Sequence, residues 1–340
     1  MTPAADGGTV VVLGATGWVG RHVVAACAAR GRPVLAVARG PAEHMRGHPF
    51  HPMDLAAAGP GEVGALLRGA DARVVVNAVD AANARDGWDR SEEDLRAANV
   101  GAVRTLLEAA ADQPRPPRLV HLGTLHEYGP AAPGTAVDER TPPRPANAYA
   151  RSRLAGSREA LAAAREGRAD AVVLRLANVC GPHPSPASFP GLLLRLFREA
   201  AAGGRPALRV ADARRDFVDV RDVAEAVLRA AEVREASGHA VNIGGGRAVP
   251  ITEAVALMAA VAGLPRGAVA EEPAPVAGLG GDWSLADVRL AGTLLGWRPR
   301  TTLEESLRAM WRAQTAPVPG GARPPAPVRP ELTHPPRRPG

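Results

Sequence analysis

Lysine is absent from this sequence: all 41 basic residues of the 340-residue chain are arginine. Without a lysine amine, the protein cannot form a Schiff base with a carbonyl substrate. It also cannot carry the lysine that contacts nucleotide phosphates in a Walker-type loop. The sequence therefore excludes mechanisms that depend on a side-chain amine.

Cysteine is rare as well. Cys27 and Cys180 lie far apart and match no metal-ligand spacing, so we predict no metal site. This usage is typical of a reducing compartment, and we expect a cytoplasmic location. We interpret Cys180 as a small buried apolar side chain rather than a reactive thiol.

Long apolar runs are lacking too. No stretch approaches the roughly 18 to 20 uncharged apolar residues that span a membrane. Residues 1–8 do not show the basic and then apolar segments of a signal peptide, so we expect neither a membrane span nor a secretion signal. With 46% apolar and 22% charged residues, the composition is that of a globular protein.

The net charge of +6 is unevenly distributed. Residues 317–340 contain four Arg, one Glu and nine Pro, so half of the excess charge lies on a segment that cannot form a core. We predict that this segment is a disordered, Pro/Arg-rich tail. Because the rest of the chain is nearly balanced in charge, we predict no nucleic-acid partner.

Short β-branched runs alternate with helical patterns along the chain. Strands are predicted over residues 10–13, 34–37, 74–76, 119–122, 172–176 and 241–243, and helices over 18–30, 91–111, 149–164 and 220–231. Nearly continuous apolar strands separated by helices indicate an α/β fold, a doubly wound parallel Rossmann sheet with a smaller, mostly helical C-terminal substrate domain. The Pro/Gly-rich stretches 182–191 and 263–281 are predicted to be loops.

We predict the following division of the chain. A dinucleotide-binding Rossmann domain covers residues 1–177 and is completed by residues near 216–248. Residues 178–215 and 249–316 form the substrate-binding part.

Three glycines, Gly14, Gly17 and Gly20, directly follow the first predicted strand. Glycine lets the backbone approach a pyrophosphate, and the following helix offers free N–H groups and the positive end of its dipole. The turn therefore predicts dinucleotide binding. At the end of the second predicted strand stands Arg39. An acidic residue there would bind the 2′-hydroxyl of NAD, whereas an arginine accommodates the 2′-phosphate of NADP, so we predict NADP(H).

Further motifs accompany this turn along residues 8–312. They are Asp54-Leu55, Asn77-Ala-Val, Asn99-Val-Gly, Gly123-Thr124-Leu-His-Glu-Tyr128-Gly129, Tyr149-x-x-x-Arg153, Leu174-Arg-Leu-Ala-Asn178-Val-Cys-Gly-Pro182, Arg215-Asp-Phe-Val-Asp-Val-Arg-Asp222-Val-Ala, Asn242-Ile-Gly-Gly-Gly246 and Leu295-Gly-Trp-Arg-Pro299. The joint pattern resembles the extended short-chain dehydrogenase/reductases, which are NAD(P)-dependent sugar epimerases, dehydratases and ketoreductases.

This resemblance implies a set of cofactor-binding residues in the glycine turn and at the strand ends. They are Gly14, Thr16, Gly17, Trp18, Val19, Arg39, Asp54, Leu55, Asn77, Ala78, Val79, Asn99, Tyr149 and Arg153.

The resemblance also assigns Tyr149 as the acid/base and Thr124 as the hydroxyl that contacts the substrate oxygen. Because free tyrosine has a pKa of about 10, proton transfer near neutrality needs a cation beside it. The family has a lysine one helical turn further on, where this sequence has Arg153, and Asn99 is implied to position it. We expect Arg153 to lower the pKa of Tyr149. Three interpretations remain: Arg153 replaces the lysine, another group does the acid/base work, or the site is inactive.

The substrate signals point in two directions. Arg215 resembles the residue that contacts the diphosphate in nucleotide-sugar enzymes, but residues 275–283, where a second arginine usually lies, contain no basic residue. Residues 80–94 instead contain six acids and two arginines. The acids of residues 91–94 have a structural explanation: Ser91 is a helix N-cap, and the acids after it are stabilised by the helix dipole. The remaining acids suggest an amino sugar or aminocyclitol, and the predicted substrate contacts are Asp80, Asp86, His126, Glu127, Asn178, Arg215 and Asp282.

The preferred hypothesis is an NADPH-dependent ketoreductase that acts on a sugar ketone, such as an aminoglycoside intermediate of secondary metabolism. The alternatives are a nucleotide-sugar 4-epimerase or dehydratase, and an inactive NADPH-sensing regulator. We predict a small carbohydrate substrate, no membrane partner, and a homodimer formed through the helices that follow Ser91 and Tyr149.

Overall fold

The structure is a computed structural model that describes residues 8–80, 91–275 and 281–315. Its strands are β1 (Thr9–Leu13), β2 (Val34–Ala38), β3 (Phe50–Pro52), β4 (Ala72–Asn77), β5 (Arg118–Thr124), β6 (Ala171–Leu176), β7 (Asn178–Cys180), β8 (Ala207–Ala211), β9 (Arg214–Asp219), β10 (Ala240–Ile243), β11 (Ala248–Pro250) and β12 (Ala270–Ala274). Its α-helices are α1 (Trp18–Ala29), α2 (Pro60–Gly69), α3 (Glu92–Arg96), α4 (Ala102–Ala111), α5 (Ala148–Arg165), α6 (Phe189–Ala201), α7 (Val220–Glu232), α8 (Ile251–Ala262), α9 (Arg289–Leu295) and α10 (Leu303–Thr315).

The central sheet has seven parallel strands in the order β10-β6-β5-β4-β1-β2-β3. The direction in which successive strands are added reverses at β1, which pairs with β2 on one side and with β4 on the other. In doubly wound sheets, ligands bind outside the carboxyl ends of the strands at this switch point. The predicted Rossmann fold is confirmed, and every strand predicted with bounds falls within an observed strand.

Helices cover both faces of this sheet, and all residues of β5 and β6 are buried. One face packs against α1 and α7 through residues such as Val23 and Val227, and the other packs against α2 and α4 through Val63 and Leu106. Each such fully buried side chain stabilises the fold by roughly 1.5 to 3 kcal/mol. The site at the strand ends therefore stands on a rigid scaffold.

Two smaller sheets lie beside the central one, with the orders β11-β9-β7 and β12-β8. Helices α6, α8 and α10 contribute to a separate core that includes Phe197, Met258 and Met310.

The two predicted loops are only partly loops in the structure. Residues 182–191 are loop up to Ser188, where the side chain caps α6. The prediction that residues 263–281 are all loop is wrong, because β12 lies among them. The sequence AEEPA of β12 is largely exposed and has little strand propensity, so its parallel pairing with β8 forms the strand.

The helix predicted over residues 91–111 is interrupted in the structure. The Ser91 side chain caps α3 by accepting a hydrogen bond from the backbone N of Asp94 at 3.1 Å, but Ala97–Gly101 form a π-helical turn before α4. Such turns insert one extra residue and are frequent at functional sites. A Cβ on Gly156 of α5 would lie 2.2 Å from the carbonyl oxygen of Asn99 in this turn. Only glycine allows the two segments to pack this closely.

No helix in the described part of the chain is both long enough and apolar enough to cross a membrane.

We expect the substitution Gly156→Ala to destabilise the protein by about 1 to 3 kcal/mol, because the added methyl group overpacks the contact between α5 and the π-helical turn. Urea denaturation measures this change. The matched control is Gly61→Ala on the exposed surface of α2, where a Cβ meets nothing within 4 Å. That variant should be neutral or slightly more stable than wild type. Equal midpoints for the two variants would contradict the predicted packing constraint.

Candidate active site

A cavity of about 970 Å³ opens at the carboxyl ends of the central strands. Residues of β1, β2, β5 and β6 line it, together with the loops that follow β3 and β4, and residues of β7, β8 and β9 close its far side. This volume is at the upper end of the roughly 300 to 1,000 Å³ typical of small-molecule sites. The cavity has room for a large ligand or for two ligands side by side.

The glycine turn forms one wall of this cavity. Gly14 has a φ of +75°, and a Cβ there would lie 2.7 Å from the carbonyl oxygen of Ala78. A Cβ on Gly20 would lie 2.2 Å from the carbonyl oxygen of Gly14. Gly17 begins α1 without any side-chain cap. The uncapped helix start and the close backbone approach fit a dinucleotide pyrophosphate.

Most residues predicted to bind the cofactor line this cavity. They are Gly14, Thr16, Gly17, Trp18, Val19, Arg39, Asp54, Leu55, Ala78, Val79, Tyr149 and Arg153. The two predicted asparagines do not line it. Asn77 is buried, accepts a hydrogen bond from the backbone N of Val79 at 3.2 Å, and contacts the His121 imidazole. Asn77 therefore fixes the backbone of the loop after β4 without contacting the cavity.

Tyr149 and Thr124 lie on the same cavity wall, at the first turn of α5 and the end of β5. The phenol of Tyr149 donates a hydrogen bond to Oδ2 of Asp80 at 3.1 Å. Burial and then the negative charge of Asp80 raise the pKa of Tyr149 above its ordinary value, although Arg153 acts in the opposite direction. Arg153 lowers the pKa of Tyr149, as expected, but burial and Asp80 outweigh its effect.

Arg153 is a buried charge held mostly by backbone. Its Nη1 donates to the carbonyl oxygen of Val79 at 3.0 Å and to Oδ1 of Asn99 at 3.2 Å, and its Nη2 donates to the carbonyl oxygen of Leu122. Burial lowers the pKa of the guanidinium, but nearby negative groups, Asp80 foremost, outweigh burial and raise it. Arg153 therefore stays charged at every relevant pH.

The Nε of Arg153 is buried and has no hydrogen-bond partner among the described residues. An orphaned buried donor is uncommon in a folded protein. A hydroxyl of a bound ribose would satisfy it. This donor and the glycine turn are the two observations by which the site fits a nicotinamide dinucleotide.

Asn99 reaches Arg153 because of the π-helical turn. Its Nδ2 donates to Oγ of Ser152 at 3.0 Å, and that hydroxyl donates to the carbonyl oxygen of Tyr149 at 2.8 Å. Asn99 thus connects both ends of the Tyr149-x-x-x-Arg153 segment. Ser152 has this role without any signal in the sequence analysis.

Glu127 lies beneath the site rather than in the cavity wall. It is fully buried and forms an ion pair with Nε of Arg175 at 2.8 Å. It also accepts hydrogen bonds from Oγ of Ser157 at 2.8 Å and from the backbone N of Thr124 at 3.1 Å. The guanidinium of Arg175 stacks on the ring of Tyr128, 4.6 Å from its centroid. This placement does not support the predicted substrate contact, because every observed partner of Glu127 is internal.

Besides Asp80, three more of the predicted substrate residues line the cavity. They are His126, Asn178 and Arg215. Burial and the charge of Arg215 lower the pKa of His126 to about 4, so this imidazole is neutral at physiological pH. Asp282 is exposed and does not line the cavity, and Asp86 lies outside the described residues.

Arg209 is a cavity residue that the sequence analysis missed. It lies on β8, where Leu208 and Val210 are buried, so the alternation of the strand turns Arg209 to the other face. Together with Arg215 of β9 it provides two arginines on the substrate side. The cavity therefore has a second arginine that comes from β8, although residues 275–283 contain no basic residue.

Residues 10–244 match the NAD dependent epimerase/dehydratase family, and the chain belongs to this family. It is 41% identical over 315 residues to a dTDP-6-deoxy-L-talose 4-dehydrogenase (NAD(P)(+)) of Kitasatospora kifunensis, a match that covers 91% of this chain and 96% of that protein.

Two solved structures share the fold. The UDP-glucose 4-epimerase of Thermus thermophilus, in complex with NAD, superposes with a TM-score of 0.80 at 26% identity over 91% of this chain and 100% of the other. MoeE5, in complex with UDP-glucuronic acid and NAD, has a TM-score of 0.77 at 32% identity over 90% of this chain and 99% of the other.

We expect Glu127→Gln to destabilise the protein by about 3 to 5 kcal/mol, since it leaves the buried guanidinium of Arg175 without its counter-charge. Urea denaturation measures the loss. The matched control is Glu159→Gln, which removes a surface ion pair with Arg104 and should leave the unfolding midpoint unchanged. A Glu127→Gln protein of normal stability but weak sugar binding would instead restore the predicted substrate contact.

Proposed function

We propose that this protein is an NADP(H)-dependent 4-ketoreductase that acts on a dTDP-linked 6-deoxyhexose and interconverts a C4 ketone and its alcohol. One observation carries the proposal: Tyr149, Thr124 and the glycine turn line a single cavity in a chain 41% identical to a dTDP-sugar 4-dehydrogenase. The family includes dehydrogenases, epimerases and dehydratases, so the reaction type and the sugar are the parts that need testing.

Each cavity residue has a distinct task in this reaction. A nicotinamide cofactor, when bound, exchanges a hydride with the sugar carbon. Thr124 donates a hydrogen bond to the reacting oxygen, and Tyr149 transfers the proton to or from it. Arg153 holds the ribose and supplies a permanent positive charge beside the developing negative charge.

The substrate side favours a nucleotide diphosphate. Arg209 and Arg215 both line the cavity, and arginine forks recognise phosphate oxygens well. The hypothesis of an amino sugar depended on several acids around the substrate. Of the acids that the structure describes, it brings Asp80 to the substrate side of the cavity, whereas Glu127 is paired internally and Asp282 lies elsewhere. These positions do not favour an amino-sugar substrate.

The cofactor side favours the 2′-phosphate of NADP(H). Arg39 is an exposed side chain at the carboxyl end of β2 and lines the cavity. At this point of the fold an acidic residue would repel the phosphate, and Arg39 instead offers charge-assisted hydrogen bonds.

The proposal also covers the substrate-binding part, the oligomeric state and the cellular location. The substrate-binding part comprises residues 178–215 and 249–316, and the protein is a homodimer. A cytoplasmic location is supported by the two cysteines, which are both buried and free.

The reaction is tested with purified protein, dTDP-4-keto-6-deoxyhexoses and NADPH, following NADPH absorbance and the product by mass spectrometry. We expect turnover, and we expect Tyr149→Phe to reduce kcat about 10²- to 10⁴-fold. Tyr128→Phe, at the other tyrosine of the chain, is the matched control and should retain kcat, because Tyr128 bonds Asn242 away from the cavity. Epimerised product without net NADPH use would favour the 4-epimerase, and binding of NADPH without turnover would favour the regulator.

Cofactor choice is tested with Arg39→Ala. We expect KM for NADPH to rise about 10- to 100-fold, because a charge-assisted hydrogen bond contributes about 1.5 to 3 kcal/mol, while KM for NADH stays near wild type. Arg46→Ala, an exposed arginine outside the cavity wall, should change neither constant. An equal rise for both cofactors would contradict recognition of the 2′-phosphate.

A further inference from the structure

The hydrogen bond between Tyr149 and Asp80 is unusual for a tyrosine that must exchange a proton. The distance between the phenol oxygen and Oδ2 of Asp80 is 3.1 Å, and both side chains line the cavity. A carboxylate that accepts the phenol proton opposes phenolate formation, since two negative charges would then lie side by side. The arrangement makes Tyr149 a poor base by itself.

Arg153 cannot relieve this difficulty. Its two terminal nitrogens are engaged with Val79, Asn99 and Leu122, and a guanidinium does not release a proton in proteins. It can stabilise a negative charge beside it, but it cannot pass a proton to solvent. The tyrosine therefore needs another group to exchange its proton with.

We propose that Asp80 is the proton acceptor behind Tyr149, so that the tyrosine conducts a proton rather than holding a phenolate. This inference rests on the proposed oxidoreductase function. In the oxidation direction, the sugar hydroxyl gives its proton to the phenol oxygen of Tyr149. The original phenol proton moves to Oδ2 of Asp80, and a bound nicotinamide would take the hydride from the sugar carbon.

The step balances without any further reagent. The products are the ketone, the reduced nicotinamide and a protonated Asp80, which releases its proton to water through the open side of the cavity. Reduction is the reverse: protonated Asp80 replaces the phenol proton as Tyr149 protonates the alkoxide. Asp80 thus acts through Tyr149 and needs no contact with the sugar.

The charged groups around Asp80 come from several elements. Tyr149 and Arg153 face it from α5, and His126 faces it from the turn after β5. Arg215 of β9 acts on His126, and the buried Glu127 acts on Tyr149 and Arg153. Of these, Arg153 and Arg215 remain cationic and His126 remains neutral across the neutral pH range. The carboxylate of Asp80 is already hydrogen-bonded to the phenol, which places it where it can accept the phenol proton.

The first test is the pH profile of dTDP-sugar oxidation. In wild type, kcat/KM should rise with pH through one carboxyl ionisation and then stay level, because the deprotonated carboxylate accepts the proton. Asp80→Asn keeps the shape and a hydrogen-bond acceptor but cannot take up a proton. We expect kcat to fall about 100-fold with KM for the sugar changed less than about threefold. We also expect the rise of the profile to move to the much higher pH at which the buried phenol of Tyr149 ionises.

Two variants serve as controls. Asp80→Glu keeps a carboxylate and should recover part of the rate with the wild-type form of the profile. Asp112→Asn, at an exposed position after α4, should match wild type in rate and profile. An Asp80→Asn protein with the wild-type profile, or one that raises KM while kcat is intact, would overturn the proposal.

A second test needs no substrate. In a Tyr128→Phe background, Tyr149 is the single tyrosine, and its ionisation can be followed by the ultraviolet absorbance of the phenolate. Removing the charge of Asp80 should shift the ionisation of Tyr149 to lower pH. An unshifted titration would reject the coupling even if the enzyme acts on another substrate. If the ionisation shifts but no dTDP-sugar reacts, the result contradicts the proposed substrate and still supports the coupling of Tyr149 and Asp80.

Discussion

The buried guanidinium of Arg153 is the constraint around which the active site is arranged. A charge this deep in the protein costs several kcal/mol unless it is well bonded, and its partners come from three separate segments. The carbonyl oxygen of Val79 belongs to the loop after β4, that of Leu122 belongs to β5, and Asn99 reaches in from the π-helical turn. Gly156 allows α5 to come close enough for these contacts to form. The position of Tyr149, one helical turn earlier, follows from the same contacts.

Two carboxylates near this centre have opposite roles because their surroundings differ. Glu127 is sealed from the cavity and surrounded by donors, namely Arg175, Ser157 and the backbone N of Thr124. It fixes the end of β5, and with it the hydroxyl of Thr124. Asp80 lies at the cavity wall and accepts from a phenol. The first group is positioned to hold a charge, and the second is positioned to exchange a proton.

The parallel sheet and the glycine turn could be predicted from the sequence, because local periodicity and spacing determine them. The Tyr149-x-x-x-Arg153 segment was assigned through its resemblance to a known family. The sequence did not reveal β12, whose residues AEEPA form a strand only through pairing with β8. Nor did it reveal the π-helical turn, since residues 91–111 have one continuous helical pattern in the sequence. The placement of Glu127 depends on its ion pair with Arg175, which is distant in sequence. An acidic stretch in the sequence likewise does not indicate which of its side chains face a cavity. The orientation of Arg209 could have been predicted from the sequence, because buried and exposed residues alternate along β8.

The hydrogen bonds of Arg153 also limit which residue could replace it. A lysine ends in one nitrogen on a flexible stem. The two terminal nitrogens of Arg153 bond the carbonyl of Val79, after β4, and that of Leu122, in β5, at the same time. A lysine at position 153 would therefore leave some of the acceptors that Arg153 now bonds without a donor. The scaffold around the site thus depends on the shape of the arginine, and not only on its positive charge.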